Sequence, residues 1–206
     1  MTLMWVVCAG LVASALAAAL FAVARSYGLT TFSPAVHLGC LALDDHRLPM
    51  TETLGLLIHF LLGSTLVPAA YALALPGLGG PGWVSGGAMG LLHGGAVIAT
   101  LPWLARVNRC VLAGRIPPPG RFGQGWGRNT AVVVLCAGVL YGAVAGAILG
   151  AAVRRSDAIL AQSSLTQHFL VATAVQRPLQ DRVGSWNQMF SRGETTAVRA
   201  MGSRAY

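Results

Sequence analysis

Lysine is absent from this chain. All 14 basic residues are arginines, set against only 6 carboxylates among 206 positions. Arginine at every basic position reads as composition bias rather than chemistry. Charge of either sign is scarce, at 10% of residues, where a soluble globular domain carries about 25%. That excludes an ordinary water-facing fold. Cysteine is sparse too: Cys8, Cys40, Cys110 and Cys136 lie in different segments with no CxxC spacing, and no disulfide framework is expected. Missing as well are G-x-S-x-G, H-E-x-x-H and Walker A sequences. The run Pro117-Pro118-Pro119-Gly120, followed by Gly123, Gly125 and Gly127, lacks the lysine and preceding strand of a phosphate cradle. It reads as a stiff loop with flexible ends.

What the chain does have is apolar length. Residues 3–24, 54–75, 83–105 and 130–153 form four runs, each long enough to cross ~30 Å of hydrocarbon at 1.5 Å per residue. The fold class expected is an all-α membrane protein, a four-transmembrane-helix bundle occupying residues 1–155. The first run is Ala-rich, but no positive charge precedes it and it outlasts a signal-peptide core, so it is read as a retained helix. Ser33-Pro34 sets up a cap and first turn for a short interfacial or re-entrant helix over 35–43. Residues 156–206 form a polar, basic tail, weakly helical at first and expected to be disordered after Arg182. The net charge of +8 then belongs to loops and tail beside lipid, not to a nucleic-acid surface.

Counting arginines orients the bundle. The first and third connections carry Arg25, Arg47, Arg106, Arg109, Arg115, Arg121 and Arg128, and the second carries none. The positive-inside rule places the Arg-bearing loops in the cytoplasm of a bacterial inner membrane, with both termini outside. Arg154 and Arg155 oppose this mildly. Trp83, Trp103 and Trp126 read as interfacial anchors.

Small residues recur at four-residue spacing: Gly138, Gly142, Gly146 and Gly150; Gly86, Gly90 and Gly94; Gly10, Ser14, Ala18 and Ala22. Residues so spaced share a helix face, and such faces let backbones approach closely, within one chain or between copies. His59, between Gly55 and Gly63, and His93, beside Gly94, fall on or next to these faces. Both are costly at membrane depth and are candidate polar-site residues, with Tyr71 and Thr100 nearby. The plainer reading is a neutral imidazole in an interhelical hydrogen bond. Counted from Glu52 and Arg106, the two histidines differ by about 9 Å in depth. That disfavours a shared haem iron or metal. A second candidate is the first loop, where His37, Cys40 and Asp44 would share a helical face near His46. These are weak metal ligands, because no established spacing is matched. No cofactor is expected.

The segments Gly55–Gly63 (G-L-L-I-H-F-L-L-G), Pro68, Tyr71-Ala72, Trp83–Gly94 (W-V-S-G-G-A-M-G-L-L-H-G), Leu101-Pro102 and Leu140-Tyr141-Gly142 resemble a family of bacterial four-helix membrane proteins. The link from Leu38-Gly39 to Gly55 extends the likeness, which covers about three quarters of the chain. It implies four spans and carries no activity, substrate or cofactor. With packing motifs but no convergent catalytic set, the first functional reading is a non-enzymatic accessory or scaffolding subunit, as a homodimer or beside a membrane partner. The alternative is a small transporter or proton-linked carrier using the histidines. A metal- or haem-dependent enzyme comes last.

Overall fold

In a computed structural model the backbone is described for residues 3–202 and the side chains for residues 3–168. Secondary structure among the described residues is entirely helical. The chain divides into two units, Met1–Arg155 and Ser156–Tyr206. Helices α1 (Leu3–Ser26), α2 (Pro34–Gly39), α3 (Pro49–Ser64), α4 (Leu66–Ala74), α5 (Trp83–Leu104), α6 (Arg109–Leu112) and α7 (Thr130–Gly202) follow in order. A 3-10 turn, Leu75–Leu78, ends α4, and another occupies Arg121–Trp126. Among the described residues four stretches are long and apolar enough to cross a membrane: Leu3–Ser26, Pro49–Leu78, Trp83–Leu104 and Thr130–His168.

The second span starts five residues earlier than its apolar run and is broken at Thr65, where φ is −120° and ψ −74°. Pro68 accounts for the break. It has no N–H to offer the carbonyl of Ser64, and its ring clashes there. Helix α2 is as capped as its sequence suggests: the Ser33 hydroxyl accepts the Val36 N–H at 3.4 Å, with Pro34 at the first position. It ends at Gly39, so it is shorter than expected.

The backbone of α7 is helical through Gly202; the tail expected to be disordered after Arg182 falls where side chains lie outside the described residues, as residues 203–206 do altogether.

Packing in the first unit is inverted relative to a water-soluble protein. Leu57, Leu61, Leu66, Leu73 and Leu92 face outward, while Ala9, Ala13 and Ala145 are fully buried. Lipid solvates outward leucines, so close backbone approach through small residues supplies the interior contacts. Helices α5 and α7 run antiparallel with their glycines opposed. A Cβ added at Gly86 would strike the Gly142 carbonyl, one at Gly90 the Gly138 carbonyl, and one at Gly146 the Gly82 carbonyl. Gly150 abuts Pro81, and Gly94 lies against Val134 and Leu135. Gly10 of α1 meets Gly63, Ser64 and Pro68 at the kink.

The two Arg-bearing connections interlock at one end of this bundle. Cys40 and Cys110 form a disulfide across 70 positions, correcting the expectation of no disulfide. Neither CxxC spacing nor proximity in sequence could reveal it, because antiparallel spans alone bring these loops together. Around it, the Arg109 N–H donates to the Cys40 carbonyl at 2.8 Å and Asn108 Nδ2 donates to the His37 carbonyl at 3.0 Å. Thr30 and Thr130 hydroxyls meet at 2.7 Å. Asp45 accepts the Arg47 N–H at 3.0 Å and lies 3.1 Å from Arg115. Both contacts hold its carboxyl below the usual carboxylate range, the backbone bond first.

Candidate functional site: a cavity inside the bundle

A cavity of about 290 Å³ lies among α1, α2, α3, α5 and α7. Its walls are mostly apolar, including Ala17, Phe21, Val97, Leu101 and Val134. Among the described residues no acidic residue, lysine or arginine lines it. The polar atoms come from Ser14, His37, His59, His93, Thr100 and Tyr141. Of these, Ser14 Oγ, His37 Nε2, His59 Nε2 and His93 Nδ1 are buried without a hydrogen-bond partner.

Three of the four intramembrane candidates, His59, His93 and Thr100, therefore line one space. The fourth, Tyr71, stands against it. Rings of Tyr71 and His93 are 6.2 Å apart, Tyr71 and Tyr141 5.7 Å, and His93 and Tyr141 5.9 Å, all edge-to-face. This arrangement suits the ring quadrupoles. The Tyr141 hydroxyl crosses to α3 and donates to the Gly63 carbonyl at 2.6 Å. Tyr71 is buried with its own hydroxyl unpartnered. His59 also lines a smaller space of about 120 Å³ with Arg25 and Glu52, toward the loop end of the bundle.

The structure does not bring the first-loop metal candidates His37, Cys40, Asp44 and His46 together as a ligand set. The Cys40 sulfur is bonded to Cys110. Helix α2 stops at Gly39, so Asp44 shares no helical face with His37. Among the described residues no three His, Cys, Asp or Glu side chains converge to hold a metal ion, His46 included. His37 turns inward instead. Its Nδ1–H donates to the Ser33 carbonyl at 2.8 Å, and its ring packs 4.8 Å from Phe32 and 4.2 Å from Trp126. Burial pushes its pKa down from 6.5 to about 4, with the nearby Arg25 charge acting the same way and the Ser33 bond opposing. At neutral pH the ring is uncharged and presents a lone pair at Nε2.

Trp126 is likewise not an interfacial anchor. It is buried, stacks on Phe32 at 5.0 Å, and its indole N–H donates to the Pro117 carbonyl at 2.8 Å. The glycines around it fold the Pro-rich loop back over the bundle, with positive φ at Gly120 and Gly123. Trp83 and Trp103 remain exposed near span ends, where such side chains anchor. Sequence reasoning missed Ser14 and Tyr141 as site residues. Ser14 lay in view within the small-residue stripe of α1; Tyr141 had no signal beyond an aromatic inside a glycine ladder.

No protein family, curated protein or solved structure matches the chain.

Proposed function

We propose that this protein is a multi-pass binding protein of a bacterial cytoplasmic membrane, taking up a small, uncharged, largely apolar molecule inside its bundle. The observation that carries the reading is the cavity itself: an uncharged, mainly apolar space with His37, His59 and His93 among its lining residues. Small-molecule sites have this character, apolar walls with a few polar groups that fix orientation. Its volume suits a small ligand, since an apolar cavity of about 150 Å³ accommodates benzene. The histidine-carrier alternative thereby gains support. The α5 and α7 glycines face one another within the chain, so those two ladders do not by themselves argue for a partner, while the α1 stripe ends at the exposed Ala22.

Equilibrium dialysis of the detergent-purified protein with naphthalene tests this. Saturable binding at one site is expected, and Val97→Phe, which places a ring in the cavity, should abolish it. Binding that persists unchanged in Val97→Phe, or none above the detergent blank, would sink the proposal.

The orientation we propose reverses the arginine count. Seven arginines lie in or beside the interlocked loops and only Arg154 and Arg155 lie close to the opposite end of the spans, so the count opposes this orientation and the disulfide is what supports it. The Cys40–Cys110 bond joins those loops, and disulfides persist in oxidising compartments. The loop end then faces outside and both termini face the cytoplasm. A C-terminal reporter that is active only in the cytosol should be active; a silent reporter on a correctly inserted protein refutes the orientation.

A further inference from the structure

The walls of the cavity are unevenly exposed, and the unevenness locates its opening. Helix α1 contributes Ser14, Ala17 and Phe21, and all three are buried. From α7 come Val134, Ala137 and Tyr141, buried as well. Among the described lining residues exposure falls instead on Leu62 of α3, at 39%, and on Thr100 of α5. Val97 and Leu104, both half-buried, continue the α5 side of this rim.

The packing explains the position. Helix α3 is seated on α1 and α2, whereas α5 is held against α7 by its glycines. The cavity lies between these two groups, so the seam between α3 and α5 is the side that no glycine contact closes. Both ends of the cavity are stopped. Phe32, stacked on the buried Trp126, closes the loop end. At the other end Tyr141 reaches from α7 to the Gly63 carbonyl, and its ring meets those of Tyr71 and His93.

What faces the seam is hydrocarbon rather than water. Leu62 stands ten residues beyond Glu52, about 15 Å along the helix and near the middle of a ~30 Å hydrocarbon core. Ala96 and Trp103 share the face of Thr100 and are exposed, as is Leu66 one turn past Leu62. The Thr100 hydroxyl is bonded within its own helix, donating to the Val97 carbonyl at 2.8 Å.

Resting on the binding role proposed above, we infer that the cavity is entered sideways through the α3–α5 seam, and that its ligand is a neutral lipophile dissolved in the bilayer. Such a molecule concentrates in hydrocarbon because its apolar surface leaves water. It reaches the seam without crossing the interlocked loops. A charged molecule does not arrive by this route, since carrying an unpaired charge into hydrocarbon is costly.

A photoreactive lipid tests the route. The unmodified protein is reconstituted with a phosphatidylcholine whose acyl chain ends in a phenyldiazirine, a neutral ring tethered to the bilayer. Irradiation should give adducts on Val134 or Ala137, buried walls of the cavity, besides those on the outward Leu73. Leu62→Trp, which fills the seam, should lose the wall adducts and keep those on Leu73. Adducts confined to outward residues, or wall adducts unchanged in Leu62→Trp, would overturn the lateral route. The first of these outcomes needs only the unmodified protein, so a variant that does not fold leaves the inference open to refutation. Saturable naphthalene binding without wall adducts would refute the route and leave the cavity reading standing, whereas neither binding nor wall adducts would refute both.

Discussion

Gly142→Leu should destabilise the bundle by at least ~3 kcal/mol, beyond the usual 1–3 kcal/mol of an overpacked core. A Cβ at this position would run into the Gly86 carbonyl and come within 2.8 Å of Gly90 backbone atoms. Backbone cannot rotate aside as a side chain does, so α5 and α7 must separate along the whole ladder. Separation would lift Tyr141, on the same helix one position earlier, from its bond to Gly63. Gly95→Ala is the control. It lies on α5 with nothing within 4 Å of its added Cβ, and replacing glycine by alanine inside a helix is worth up to about 1 kcal/mol in favour of the variant. Thermal unfolding in detergent, followed by circular dichroism, would show the first variant melting far below the parent and the second at or above it. Equal melting of Gly142→Leu and the parent would mean that the glycines do not set the α5–α7 approach.

Removing the loop disulfide is the second large effect. The bond spans 70 residues, and the chain-entropy relation for a loop of that length gives about 4 kcal/mol, within the range of roughly 2–5 kcal/mol seen when native disulfides are lost. Cys40→Ser should therefore loosen the interlocked end. It also leaves Cys110, which is fully buried, without its covalent partner. The state of the bond can be read without any variant. In denaturing detergent, a thiol-reactive polymer should add two labels to the unreduced chain, at Cys8 and Cys136. After reduction it should add four, the full cysteine complement of the sequence. Four labels before reduction would remove both the disulfide and the argument for loops facing an oxidising compartment.

The labelling result bears on the cavity as well. Helix α2 carries His37 and is tied to the third connection through Cys40 and through Asn108. The same end of the molecule that bears the disulfide therefore also holds His37 in place.

Much of the architecture was legible in the chain. Four apolar runs of membrane-crossing length need no tertiary information, because hydrocarbon admits little except closed backbone hydrogen bonding. Glycines four apart necessarily share a face, and Ser33-Pro34 necessarily favours a helix start. His59 and His93 stood out because an ionisable group is expensive at that depth. Their separation in depth disfavours a shared iron but does not reveal that one cavity reaches both. Depth along a helix is a one-dimensional quantity, whereas a cavity is bounded by five helices and a kink.

The remaining features depended on where distant segments meet. Cys40 and Cys110 carried no motif, and the short helix read as a metal-ligand face became the support for an inward-facing imidazole. Trp126, placed by composition at the interface, is buried because the glycines of its loop turn it back over the bundle. Sequence alone determined the four spans, the capped short helix and the small-residue faces, since each follows from local periodicity or the energetics of a chain in lipid. Tertiary structure alone decided the disulfide, the pairing of the glycine ladders within the chain and the fixed tautomer of His37, because each is a contact between residues that only the folded bundle brings within reach.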